Sequence, residues 1–229
     1  MTLEFWPSDL TRKINKPKAV YTLILQSVWD NLPEACPVHV GGFFQLCTFS
    51  VREGRFAVPR RKFTAIDLFC GAGGLSEGFK QAGFSIRAAN DFDAVASQTF
   101  KISHPRTPFL DGPIQDISNE KLLETAKLQQ GELDVLIGGP PCQAFSVYNH
   151  QRGMHDERSG LFREYLRIVE GLMPRFVVME NVTGITSVAE GRAVDEIYKN
   201  LERLGFHLEH RILKSEEFGV PQERRRIFF

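Results

Sequence analysis

A chain of 229 residues with 42% hydrophobic content can bury the core of one large domain, or of one domain with a small extra piece. Its 28 Lys and Arg balance 28 Asp and Glu, so no global positive field draws nucleic acid, and any such site has to be a local patch. Four scattered cysteines exclude a disulfide framework, and the longest apolar stretch, Val20 to Trp29, is far short of the roughly 20 residues of a membrane span. A cytosolic, reduced protein with no membrane partner is expected.

Residues 1–62 read as an amino-terminal extension of unknown role, with prolines at Pro7, Pro17, Pro33, Pro37 and Pro59 and a helix from about Lys18 to Asn31. Cys36, His39 and Cys47 offer three zinc-type ligands but no fourth at a finger interval, so no metal site is expected. The run Arg52, Arg55, Arg60, Arg61 and Lys62 reads as a solvated linker, with nucleic-acid contact as the alternative.

From Phe63 the pattern changes. Phe63 to Phe69 reads as a strand, Cys70-Gly71-Ala72-Gly73-Gly74 as a tight turn, and Leu75 to Ala82 as a helix with Leu75, Phe79 and Ala82 on one face. A strand, a glycine turn and a helix amino terminus let backbone N–H groups approach a nucleotide-type ligand closely. The dinucleotide fingerprint requires a third glycine where Ser76 stands, which disfavours NAD and FAD. A second strand, Phe84 to Ala89, leads to Asn90-Asp91-Phe92-Asp93. Asp91 follows Gly71 by 20 positions, an interval suited to a carboxylate that accepts from ribose hydroxyls; Asp93 reads as a helix cap. Ile114 to Ile117 reads as the end of a third strand, with Asp116 beside it, and Glu120 to Leu128 as a helix.

Asp134 to Ile137 is a short apolar run of the length of a buried parallel strand, and it runs into Gly138-Gly139-Pro140-Pro141-Cys142-Gln143. Prolines stiffen that loop and can aim the Cys142 thiol as a nucleophile; taken alone, the stretch reads equally as a turn with a buried cysteine. After a polar segment, Val147 to Glu157, Ser159 caps a helix with Leu161, Tyr165, Ile168, Val169 and Leu172 at helical spacing. Phe176 to Met179 is a further strand that ends in Glu180-Asn181-Val182. Glu180 then stands at a strand end in the same layer as Cys142, either to hold or donate a proton or as a structural carboxylate. A helix from Val194 to Leu204, a strand from His207 to Leu213 and a terminal strand complete the reading. Alternation in the terminal strand puts Arg224 and Arg226 on one face and Arg225 on the other. Two guanidiniums on one face suit a phosphate and a carbonyl oxygen.

In this order the pieces resemble the DNA cytosine-5 methyltransferase family. The resemblance covers Phe63 to Phe229 and rests on Asp67 to Gly74, Gly139 to Ser146, Glu180-Asn181-Val182 and Gly219 to Arg226. It implies an α/β fold, Rossmann-like and S-adenosylmethionine-dependent, with a mostly parallel sheet truncated at the carboxyl end. By the resemblance, Asp67, Phe69, Gly71, Gly73 and Gly74 line S-adenosylmethionine, Asp91 replaces the more usual ribose-binding glutamate, and Asp116 meets the adenine. Cys142 would add to carbon 6 of cytosine in DNA, Glu180 would serve ring nitrogen 3, and Arg226 the exocyclic oxygen with Arg224 beside it. Gln143, Ser146, Asn181 and Gln222 would contact the substrate.

Neither the family's target-recognition region nor its later Gly-Asn-Ser-Val motif is found, so a fragment or one part of a split enzyme is expected, with a second chain supplying recognition. An end at Phe229 would leave an apolar strand tip with few partners. The alternatives are a noncatalytic S-adenosylmethionine-binding remnant or assembly subunit, an RNA methyltransferase of the same chemistry, and an unrelated cysteine hydrolase. The last requires a histidine base, and no histidine follows a strand end.

Overall fold

A computed structural model describes residues 62–141 and 160–229, with the backbone alone at residues 188–190. The helix expected from Lys18 to Asn31, the Cys36, His39 and Cys47 trio, the basic run up to Arg61, the segment after Cys142 and the Ser159 cap lie outside the described residues, as do Cys142, Gln143 and Ser146.

The first strand, β1 (Thr64–Leu68), is buried at every position, as a strand covered on both faces requires. Its side chains alternate between two cores. Ile66 and Leu68 join one with Leu136, Tyr165 and Ile168, and Ala65 joins the other with Phe79, Phe84, Ile137 and Val178. Helix α1 (Gly74–Gln81) returns the chain to β2 (Ser85–Asp91). Asp93 caps α2 (Ala94–Ser103), its side chain accepting from the Ala96 N–H at 2.8 Å. After β3 (Phe109–Asp111), Ser118 caps α3 (Asn119–Ala126) in the same manner. Strand β4 (Val135–Gly138) follows, and later α4 (Leu161–Leu172), β5 (Phe176–Val182), α5 (Arg192–Arg203), β6 (Arg211–Lys214) and β7 (Arg225–Phe228).

These strands form one seven-stranded sheet in the order β3-β2-β1-β4-β5-β7-β6. Strands β1 to β5 are parallel, and β7 runs antiparallel between β5 and β6. The chain winds outward from β1 through β2 to β3, then crosses back to β4 on the other side of β1. That reversal opens a crevice at the carboxyl ends of β1 and β4, where open α/β sheets bind ligands. No described helix is long and apolar enough to cross a membrane.

Four expectations are corrected. The third strand is Phe109–Asp111, and Ile114–Asp116 is a single 3₁₀ turn, because the preceding Pro108 and only three pairing residues hide the strand from any periodicity. Strand β5 continues through Glu180-Asn181-Val182, since β7 pairs with those three residues. Strand β6 begins at Arg211 and not at His207, where pairing with β7 starts. The terminal strand is not short of partners: β7 is paired on both sides, and Phe229 exchanges hydrogen bonds with Met179 at 2.9 and 3.0 Å.

Candidate active site

The first group of site residues lies at the end of β1. Phe69 and Gly71 adopt φ of 55° and 54°, and Gly73 lies at 93°, so the turn reverses tightly enough to present the start of α1. A side chain at Gly73 would overlap His104 and Phe100, which pack beneath the turn, whereas Gly71 and Gly74 face open space. Asp91 fastens the turn from the neighbouring strand. Its Oδ2 accepts from the Gly71 N–H at 2.7 Å and its Oδ1 from the Asp93 N–H at 2.9 Å. A carboxylate has about four acceptor positions, so the two engaged here leave capacity for a ligand hydroxyl.

Asp67 is fully buried on the α1 side of the sheet. Ser76 donates to its Oδ2 from both N–H (3.1 Å) and hydroxyl (2.6 Å), while its Oδ1 has no partner among the described residues. Burial pushes this carboxyl up to about 7, against the Ser76 bonds that favour the charged form. Ser76, noted in the sequence only as a missing glycine, thus has its own function of tying α1 to β1. Cys70, in the same turn, is buried, and burial raises its thiol far above the ordinary range.

The third wall is the turn at Ile114–Asp116, with Asp116 exposed. Asn90 holds its approach, donating to the carbonyls of Leu110 (3.0 Å) and Gly112 (2.9 Å). Phe92, next to Asp91, is 66% exposed.

The second group stands across the crevice at the ends of β4, β5 and β7. Gly138 can hold no side chain, because a Cβ would come 2.8 Å from the Tyr165 ring and from the Leu68 carbonyl. Tyr165 is fully buried, its hydroxyl 3.0 Å from the Leu136 carbonyl and 3.2 Å from that of Val178. It therefore fixes β4 against β5 just before the Pro140-Pro141 loop. Asn181 is buried, donating from Nδ2 to the Pro140 carbonyl at 3.1 Å and accepting the Val182 N–H at 2.8 Å. Both ends of its amide are engaged within the chain, so it supports the loop.

Glu180 meets the arginines of β7. Its Oε1 is 2.9 Å from Arg226 Nε and 3.5 Å from an Arg224 terminal nitrogen, and its Oε2 lies against Gly139. Both guanidiniums reach one carboxylate, as alternation along β7 predicts. Arg226 is 26% exposed and Arg224 46%, so the nearer contact is also the better shielded. Gln222 is exposed on the approach to β7.

The arrangement has relatives. The family model for C-5 cytosine-specific DNA methylase matches residues 63–229. The type II methyltransferase M.AgeI of Thalassovita gelatinovora is 42% identical over 163 residues, covering 71% of this chain and 38% of that protein. M.AquIA of a Picosynechococcus strain is 38% identical over 171 residues, covering 71% of this chain and 69% of that one. A prophage-encoded E. coli structure is 32% identical with a TM-score of 0.63, covering 73% of this chain and 46% of that one. The Dnmt2 methyltransferase of S. pombe, at 21% identity and a TM-score of 0.59 over 73% of this chain and 48% of that one, shares the fold. The chain spans less than half the length of M.AgeI and of M.NgoPII from Neisseria gonorrhoeae, of which it covers 46%. It belongs to the C-5 cytosine-specific DNA methylase family, whose methyl donor is S-adenosylmethionine.

Proposed function

We propose that this chain carries the cofactor-binding and catalytic part of a DNA cytosine-5 methyltransferase, residues 63–229, and that it acts through a covalent adduct of Cys142. The observation that carries this reading is the adjacency of two strand-end groups, the Asp91-fastened glycine turn and the Asn181-fastened Pro140 beside the Glu180, Arg224 and Arg226 cluster: Leu68 pairs with Gly138, and the Gly139 N–H donates to the Leu68 carbonyl at 3.3 Å.

The first group fits S-adenosylmethionine. The open space over Gly71 and Gly74 leaves room for it, the spare acceptors of Asp91 suit ribose hydroxyls, and the unpartnered Asp67 Oδ1 suits an ammonium donor. Phe69 and Gly73 shape the turn, and Asp116 offers an exposed acceptor for the adenine amino group. When bound, the cofactor supplies an electrophilic methyl group.

Cytosine carbon 5 is a poor nucleophile, and the Cys142 thiolate remedies this by adding to carbon 6. Glu180 supports a proton at ring nitrogen 3 as the addition proceeds, and Arg226 holds the exocyclic oxygen, with Arg224 behind it or at a phosphate. Both arginines reach Glu180 Oε1 and so fix the orientation of the carboxylate. After methylation, carbon 5 loses its proton to a base, and the bond between Cys142 and carbon 6 breaks to restore the thiolate and the aromatic ring. Carbon 6 is out of reach in a stacked duplex, so the base is flipped out at a cost of a few kcal/mol, with Gln143, Ser146 and Gln222 contacting the displaced nucleotide. Asn181 positions the loop. Base reading comes from a further segment or a second chain, since phosphate and catalytic contacts carry no sequence information.

Incubation with labelled S-adenosylmethionine and DNA tests the reading against its alternatives. Label in cytosine carbon 5 supports it; cofactor binding with no transfer in the presence of a recognition chain favours a noncatalytic subunit; and label in RNA alone reassigns the substrate.

A further inference from the structure

We propose that Arg167, on α4, is a positioning residue for the cofactor's adenine, acting through the Ile114–Asp116 turn. The proposal rests on the reading of Asp116 given above and adds what holds Asp116 in place.

A three-residue 3₁₀ turn has poor internal hydrogen-bond geometry and does not hold a side chain rigidly by itself. Its own bonds are Asp116 N–H to the Pro113 carbonyl at 3.1 Å and Ile117 N–H to the Ile114 carbonyl at 3.2 Å. Two external clamps supplement them. On the β2 side, Asn90 holds Leu110 and Gly112. On the opposite side, one terminal nitrogen of Arg167 donates to the carbonyls of Ile114 (3.1 Å) and Ile117 (3.0 Å), which flank Asp116 on both sides. The other terminal nitrogen donates to Asn119 Oδ1 at 3.3 Å, and Nε to Glu164 at 2.7 Å.

Every nitrogen of the guanidinium is therefore engaged: one terminal nitrogen serves both carbonyls, while the other and Nε hold Asn119 and Glu164. A lysine ammonium, a single point with three donors, cannot hold all four acceptors at once. Asn119 is located in turn by Gly171, since a side chain at Gly171 would overlap its amide. Ile114 and Ile117 are buried, at 2% and 7% exposure, so the turn is anchored inward by its isoleucines and outward by Arg167. Asp116 stands exposed between the two clamped carbonyls. Helix α4 thus carries Tyr165 toward the Pro140 loop and Arg167 toward the cofactor turn, two residues apart.

The test is a double-mutant cycle on the full chain, reading the dissociation constant of S-adenosylmethionine by calorimetry for wild type, Arg167→Lys, Asp116→Ala and the pair. If Arg167 acts through Asp116, each single change weakens binding by about tenfold and the pair weakens it no further than Asp116→Ala alone. A general structural role gives additive losses instead, and additivity overturns the proposal while leaving the reading of Asp116 intact. Loss of no affinity in Asp116→Ala, or no binding by the wild type, overturns that reading and this proposal with it. Glu164→Gln loosens the guanidinium without removing it. It gives the same non-additivity at a smaller shift, and it decides the matter if Arg167→Lys does not fold.

Discussion

Asn181 Nδ2 donates to the Pro140 carbonyl at 3.1 Å, so a buried amide on β5 holds the backbone two residues before Cys142. Asn181→Ala leaves that carbonyl and the Val182 N–H without their partner, a loss of about 1–3 kcal/mol of stability. A misplaced nucleophile costs more than stability: kcat is expected to fall by about 10²-fold with S-adenosylmethionine affinity unchanged. Parallel turnover and cofactor-binding measurements check this split.

Arg226 and Arg224 both reach Glu180, but at 2.9 and 3.5 Å and with different shielding. Replacing Arg226 by Lys removes the closer donor and a planar fork from the better-shielded position, and is expected to lower kcat by about 10²–10³-fold. Arg224→Lys should cost clearly less. Steady-state rates for the two variants test the ranking, and equal losses would go against the assignment of Arg226 to the base.

Asp67 makes stability depend on pH. Burial raises its carboxyl from an ordinary 3.8 to about 7, so the folded chain binds this proton more tightly than the unfolded chain. The stabilisation is complete below pH 4 and is lost as pH rises through about 7, on the order of 2–4 kcal/mol for a group so buried. Asp67→Asn keeps an acceptor for Ser76 and never ionises. Urea unfolding between pH 5 and 8.5 should show the wild type losing stability relative to this variant as pH rises; parallel curves would refute the assignment.

Two neighbouring glycines separate folding from binding. At Gly73, φ is 93° and a Cβ would lie 2.5 Å from His104 Nε2, so Gly73→Ala is expected to destabilise by about 2 kcal/mol or more. At Gly74, which opens α1, a Cβ meets nothing within 4 Å, and Gly74→Ala should leave Tm unchanged. Its methyl group occupies the space assigned to the cofactor, and affinity for S-adenosylmethionine should drop. Thermal melts and calorimetry on the two variants distinguish these outcomes.

Much of the layout was legible because local chemistry fixed it. Ile66 and Leu68, the glycine turn and the helical spacing of Tyr165, Ile168, Val169 and Leu172 each carry their own periodicity, and the structure buries these apolar side chains. Asp93 could be read as a cap because capping is local. What escaped depends on partners distant in sequence. Strand β3 exists through its pairing with Ala89 to Asp91, and Glu180 to Val182 stay extended through β7. The engagement of Asn181 with Pro140 across 41 positions, and of Arg167 with Ile114 across 53, leaves no short-range pattern at either end.

The most direct test is transfer of labelled methyl groups from S-adenosylmethionine to DNA, by wild type and by Cys142→Ala, with any recognition chain supplied. The account predicts label on cytosine carbon 5 with the wild type and none with Cys142→Ala, while both bind the cofactor equally. Equal labelling by the two proteins would contradict a covalent role for Cys142.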